Sequence, residues 1–284
     1  MADYGLGYMR RFASPLTRGK SKISMLDLTV SRRISRLLGA ALLASALCCA
    51  QEPPAPPATR PAVPPTPTSA TSSGNVVTSF VRDWAQDQKR FVLSPFHMNK
   101  KQAFGIVLPL ALTTFALTYA DADAGRYPAT RPNLRKASNY ISAVGAGYAL
   151  GGLTVGTLLY GDVKKDPEII RMGRNGMLAL AGAWTDNYAL KFALGRERPP
   201  DNDHEGRFWK GKDSFPSGHA MTTFAVASAM AHTKGCPKWV KITSYSVAAA
   251  VSFARWGAQR HFPSDILAGA TLGYFMGRSV AANH

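Results

Sequence analysis

Residues 215–232 read Phe-Pro-Ser-Gly-His-Ala-Met-Thr-Thr-Phe-Ala-Val-Ala-Ser-Ala-Met-Ala-His. Pro216 stops any helix that precedes it, Ser217 suits an N-cap, and an apolar run of helix length starts right behind. No period-two alternation competes with this reading, and no Gly-rich loop follows a strand pattern. Working outward, five more apolar segments of helix length accompany it. The six cover residues 103–120, 139–160, 174–194, 217–232, 239–254 and 263–281. The first two carry no charged residue, which is close to what a membrane span needs. Small residues recur inside these runs at helical spacing: Gly147 and Gly151, Gly152 and Gly156, then Gly269, Gly273 and Gly277. Such spacing lets helix backbones approach closely. The expected fold class is all-α: a six-helix bundle, membrane-embedded or membrane-associated.

The chain before the bundle has three parts. Residues 1–50 read as an upstream extension followed by a secretory signal over about 25–50. Arg32, Arg33 and Arg36 precede an apolar run from Leu37 to Leu47, and the small residue Ala50 follows. Residues 51–75 are rich in Pro, Thr, Ser and Ala and read as an extended linker. Residues 76–102 are amphiphilic, with Phe80, Trp84, Phe91 and Phe96 among Arg82, Lys89, Arg90, Lys100 and Lys101. This stretch suits either a membrane surface or a helix packed on the core. Residues 103–284 are the helical core. The signal makes the core extracytoplasmic. Counting six full spans behind a cleaved signal instead turns the loops after the third and fifth segments inward.

The 284 residues carry a formal net charge of +17, which suits anionic partners such as phosphates or an anionic lipid surface. The basic residues are spread between apolar segments and form no nucleic-acid module. Cys48, Cys49 and Cys236 have no zinc-ligand spacing, and none of the chain reads as a metal site.

Three clusters carry chemistry, each at a segment boundary, so that all can meet at one end of the bundle. Pro216-Ser217-Gly218-His219 opens a helix whose free amides favour an anion. Arg255, His261 and Asp265 follow at spacings of six and four. A histidine attacks phosphorus only when one ring nitrogen is unprotonated and aimed, and Asp265 is placed to fix the tautomer of His261. Lys191, Arg198 and Arg255 supply charge for phosphoryl oxygens. Lys191 lies within an apolar stretch, where an unpaired cation is costly.

Together these clusters resemble the signature of the type 2 phosphatidic acid phosphatase superfamily, which also holds bacterial acid phosphatases and vanadium haloperoxidases. The matching residues are Lys191, Arg198 and Pro199; Pro216, Ser217, Gly218 and His219; and Arg255, His261 and Asp265. One position departs: the family's serine before the arginine is Ala254. The resemblance implies a phosphatase that requires no cofactor or metal. Lys191, Arg198, Ser217, Gly218 and Arg255 would hold the phosphoryl group, His261 would attack it, Asp265 would orient His261, and His219 would serve as general acid. The apolar bundle and basic surface favour a lipid phosphate substrate, either a monoester or a diphosphate. Alternatives are a soluble periplasmic acid phosphatase, a vanadium-dependent haloperoxidase, and a helical membrane scaffold without activity.

Overall fold

The computed structural model describes residues 75–284, so the expected signal and linker lie outside the described residues. All regular structure among the described residues is helical. In chain order the helices are α1 (Val76–His97), α2 (Lys100–Thr118, with a π turn at Ala103–Val107), α3 (Asp121–Ala129) and α4 (Pro132–Ala143). Then come α5 (Gly147–Lys164), α6 (Pro167–Leu194), α7 (Gly218–His232), α8 (Lys238–Gly257) and α9 (Pro263–Asn283). The six expected segments correspond to α2, α5, α6, α7, α8 and α9. The structure adds α1, α3 and α4. It also breaks the second expected segment at 144–146, where Gly145 leaves no room for a side chain beside Thr223 and Val251.

Local chemistry sets the ends. Asp166 caps α6, its carboxylate accepting from the Glu168 and Ile169 amides, and Pro167 occupies the first turn. Gly195 closes α6 in the left-handed region at φ +50, a conformation that favours glycine. Pro263 opens α9, as its fixed φ suits.

Helix α7 is the axis of the molecule. Eleven of its fifteen residues are buried, five of them alanines, and α6, α8 and α9 close around it. Gly269, Gly273 and Gly277 line the face of α9 that meets α7. A Cβ on each would collide with the carbonyl oxygens of Ser217, Met221 and Ala225 in turn. The glycine spacing read from α9 thus marks a backbone-on-backbone contact. The same reading fails on α5. Gly151, Gly152 and Gly156 face open space, because α5 turns Leu150, Thr154 and Gly161 inward. The α5–α6 approach uses glycines of α6 instead: Gly173 sits against the Leu158 backbone and Gly176 against the Thr154 methyl.

Helix α1 packs on the core. Phe80, Trp84 and Phe91 cover the Leu178–Met221–Met276 cluster, while Asp83 pairs with Arg174. Asp87 accepts from Asn283 (2.8 Å) and meets His284 (2.9 Å). The outer faces are apolar. Among the described residues, two stretches are long and apolar enough to cross a membrane, Lys100–Thr118 and Pro132–Lys164, and only 6% and 22% of their most apolar windows are buried. Phe104, Leu108, Leu112 and Phe115 of α2 point away from the protein, as do Tyr148, Leu159, Tyr160 and Val163 of α5.

Candidate active site

The C-terminal ends of α6 and α8, the N-terminal ends of α7 and α9, and the 195–217 connection converge at one end of the bundle. All eight expected site residues sit there.

The cations come first. Arg198 Nε and Nη2 donate to the two carboxylate oxygens of Asp213 at 2.8 and 2.7 Å. Lys191 Nζ donates to the Asp213 carbonyl at 2.6 Å and lies 3.8 Å from its carboxylate. A planar two-oxygen anion thus already bridges the two cations. Burial works against the Asp213 carboxylate, but Arg198 and Lys191 outweigh it and hold the carboxyl below its usual range. Arg255 reaches in from the end of α8. Its Nη1 is 3.4 Å from Ser142 Oγ, and its Nε is buried without a partner.

Ser217 occupies the N-cap position of α7 but makes no capping bond, and its Oγ is fully buried and unpartnered. A buried hydroxyl and a buried guanidinium nitrogen, each left unsatisfied, are costly unless a ligand completes them. Gly218 opens α7 behind it. The space a side chain would need there is taken by Asn187 Oδ1 at 2.9 Å, and Asn187 Nδ2 braces the Pro216 carbonyl at 3.1 Å.

The histidines follow. His261 is 2% exposed. Its Nδ1 lies 2.8 Å from the Ser214 carbonyl. A carbonyl only accepts, so Nδ1 carries the proton and Nε2 holds a free lone pair. The expected Asp265 contact is not the hydrogen bond that sets this tautomer: Asp265 Oδ2 stands 3.8 Å from Nδ1. Its oxygens accept instead from Ser214 Oγ (2.6 Å), the Phe262 amide (2.9 Å) and Arg196 Nη1 (2.6 Å). The spacing of four put Asp265 near His261, but the first turn of α9 directs the carboxylate into its own N-terminus, as a cap. Burial pushes His261 down to about 4, with Arg255 and Lys191 adding to the fall and Asp265 opposing it. Burial likewise pushes His219 down to about 3, helped by Arg255, His261, Lys191 and Arg198. Both imidazoles are therefore neutral at pH 7 in the free site.

Four contributors escaped the sequence reading: Asp213, Ser214, Arg196 and Asp121. Arg196 is 1% exposed, although it stands only two positions from Arg198.

Cations, helix N-terminal amides and two imidazoles with lowered pKa thus gather at one end of the helix bundle. Residues 175–283, which contain all eight positions, match the model of the PAP2 superfamily. A lipid A 1-phosphatase from Porphyromonas gingivalis is 33% identical over 101 residues, which is 35% of this chain and 20% of that protein. The chain thus spans about a fifth of the length of the curated relative it matches. The crystal structure of a transmembrane PAP2 type phosphatidylglycerolphosphate phosphatase from Bacillus subtilis shares the fold. Its TM-score is 0.50 at 24% identity, with 62% of this chain and 94% of that one covered.

Proposed function

We propose that the chain is a membrane-associated phosphatase that hydrolyses a lipid phosphate, monoester or diphosphate, through a phosphohistidine on His261. The observation that carries this is the His261 Nδ1–Ser214 carbonyl hydrogen bond of 2.8 Å, which leaves Nε2 as a free nucleophile within a cluster of cations. Lys191, Arg198 and Arg255, with the Ser217 hydroxyl and the Gly218 amide, bind the phosphoryl oxygens and stabilise charge as it builds. The unpartnered Ser217 Oγ and Arg255 Nε supply two of those contacts.

The Nε2 lone pair of His261 forms a bond to phosphorus in line with the leaving oxygen. The P–O bond breaks, and His219 gives its proton to that oxygen. Neutral His219 then takes a proton from water, whose oxygen attacks phosphorus and releases inorganic phosphate and free His261. Because the free site holds His219 neutral at pH 7, its proton arrives together with the substrate. A phosphoryl dianion beside His219 offsets Arg255, Lys191 and Arg198, which lowered it.

Lipid is the substrate class favoured by the uncovered apolar faces of α2 and α5 and by the similarity to a lipid A 1-phosphatase. Those faces weigh against a soluble acid phosphatase.

His261→Ala is expected to abolish phosphate release from micellar phosphatidate while the thermal unfolding midpoint stays near wild type. Brief incubation of wild type with labelled phosphate ester and an acid-free quench traps label on histidine, and His261→Ala does not. Near wild-type turnover in that variant would remove His261 as nucleophile.

A further inference from the structure

His261 and Asp265 stand four residues apart, yet the residue that touches His261 is Ser214, 47 positions earlier in the chain. Ser214 is fully buried and held at three points. Its amide donates to the Arg196 carbonyl at 2.9 Å, and its Oγ donates to Asp265 Oδ2 at 2.6 Å. Its carbonyl accepts from His261 Nδ1. A backbone carbonyl so fixed cannot tilt away from the ring without breaking one of the other two bonds.

Arg196 anchors the same group. Its guanidinium lies 4.7 Å from the Phe208 ring centroid and 4.5 Å from that of Phe262. Nε donates to the Gly206 carbonyl (2.9 Å), and Nη1 to Asp265 Oδ1 (2.6 Å) and Ser264 Oγ (2.7 Å). Nη2 donates to Asp121 Oδ2 (2.7 Å). Both carboxylates are 0% exposed, so one buried cation serves two buried acids. Asp121 also receives the Ser264 amide (3.2 Å) and hydroxyl, which closes a ring through the first turn of α9. Arg198 faces the anion site, whereas Arg196, two positions earlier, is committed to this inner network.

We propose that Ser214, Arg196 and Asp121 are positioning residues that fix the tautomer and aim of His261, with Asp265 acting on His261 through Ser214. The proposal rests on the reading of His261 as nucleophile. It gives the N-terminal helices a part in the site, because Asp121 begins α3, outside the 175–283 stretch that matches the family model. Burial pushes Asp121 up to about 6, with Arg196 pulling against it and the Asp265 charge adding to the rise. Burial works against the Asp265 charge, but the surrounding groups, Arg196 and Ser214 among them, outweigh it and hold the carboxyl low. The two acids therefore divide the labour: Asp265 keeps the charge and Asp121 is the one able to hold a proton.

The test compares Ser214→Ala, Ser214→Thr, Asp121→Asn and wild type, full-length in detergent. Steady-state kinetics on a short-chain phosphatidate give kcat and KM, and nitrogen-15 histidine NMR gives the His261 tautomer. Ser214→Ala should lower kcat about tenfold or more with KM within about twofold, since misaiming a reacting group affects the chemical step. An Nε2–H population of His261 should appear alongside. Ser214→Thr, which keeps the hydroxyl, should recover most of kcat and the wild-type tautomer. Asp121→Asn should move both readouts in the direction of Ser214→Ala. Wild-type kcat and an unmoved tautomer in Ser214→Ala and Asp121→Asn would overturn the proposal. So would a loss of activity that merely follows the folded fraction. If wild type hydrolyses no phosphate ester, the function proposed above fails, while the tautomer comparison still decides the positioning roles.

Discussion

Asp213 stands between Arg198 and Lys191, where the proposed function puts a phosphoryl group. Its carboxylate is 58% exposed and bridges Arg198 and Lys191. An exposed pair of this kind contributes little, up to about 1 kcal/mol, so a phosphoryl dianion displaces it easily. Asp213→Asn removes the competitor. Inhibition by inorganic phosphate should then tighten by up to about fivefold, the equivalent of that energy. Weaker phosphate binding in Asp213→Asn would mean that the carboxylate organises the cations and does not compete for them. The histidines give a second prediction. His219 is held down at about 3 by burial and by Arg255, His261, Lys191 and Arg198, so it carries no proton at pH 6 in the free site. A bound dianion raises it, and binding must draw a proton from solution. Calorimetric titration with sulfate, a tetrahedral anion that is already a dianion at pH 6, in two buffers of different ionisation enthalpy, should show uptake that His219→Gln lacks. Equal uptake in both proteins would remove His219 as the group that acquires the proton. The sequence made His219, His261 and the three cations legible, because each sits at a segment boundary with a fixed spacing. It did not reveal Ser214 or Asp121. Each acts across a long stretch of chain, and only the folded backbone brings them together.

At the scale of elements, the seat of α9 on α7 sets the distance between the His219 and His261 ends of the site. Gly273 shows how tight that seat is. A Cβ there runs into the Met221 carbonyl and meets the Ala225 amide nitrogen at 3.0 Å, and backbone atoms cannot swing aside. Gly273→Ala should therefore destabilise by about 1–3 kcal/mol, the range for overpacking, and lower the thermal midpoint. Gly152→Ala on α5 meets open space, so it should stabilise by about 0.5–1 kcal/mol by restricting the unfolded chain. Equal midpoints for the two variants would contradict the packing described for α7 and α9. The contrast explains a limit of the sequence. Spacing of four marks glycines that share a helix face, and it marks them equally on α5 and α9. Which face turns inward depends on the partner helix, and periodicity carries no information about that. The same limit hid the break at 144–146, where an uncharged apolar run reads as one helix although Thr223 and Val251 crowd its middle.

For the whole molecule, the charges that flank α2 bear on which side of the membrane the site faces. Helix α2 runs from Lys100 to Thr118, and Asp121 just beyond it reaches Arg196 at the site end. The start of α2 therefore lies at the opposite end of the bundle. Cations near the ends of a span hold their side in the cytoplasm. Within about 15 residues of each end, the start of α2 has Lys89, Arg90, Lys100 and Lys101, while the site end has Arg126 and Arg131. On that count the start of α2 is expected inside and the site outside. A cleaved signal over about 25–50 pulls the other way, because it would export residues 51–99 and leave the site inside. The flanking charges lie nearer the span and act on α2 itself, so the site is expected to be extracytoplasmic. Trp209, 76% exposed in the loop between α6 and α7, is a suitable reporter. In a background with Cys48, Cys49 and Cys236 all replaced by Ser, Trp209→Cys should react with a membrane-impermeant maleimide in intact cells, and Ser94→Cys in α1 only after permeabilisation. The reverse pattern would place the site in the cytoplasm and make the signal, and not the basic flank, the determinant of topology.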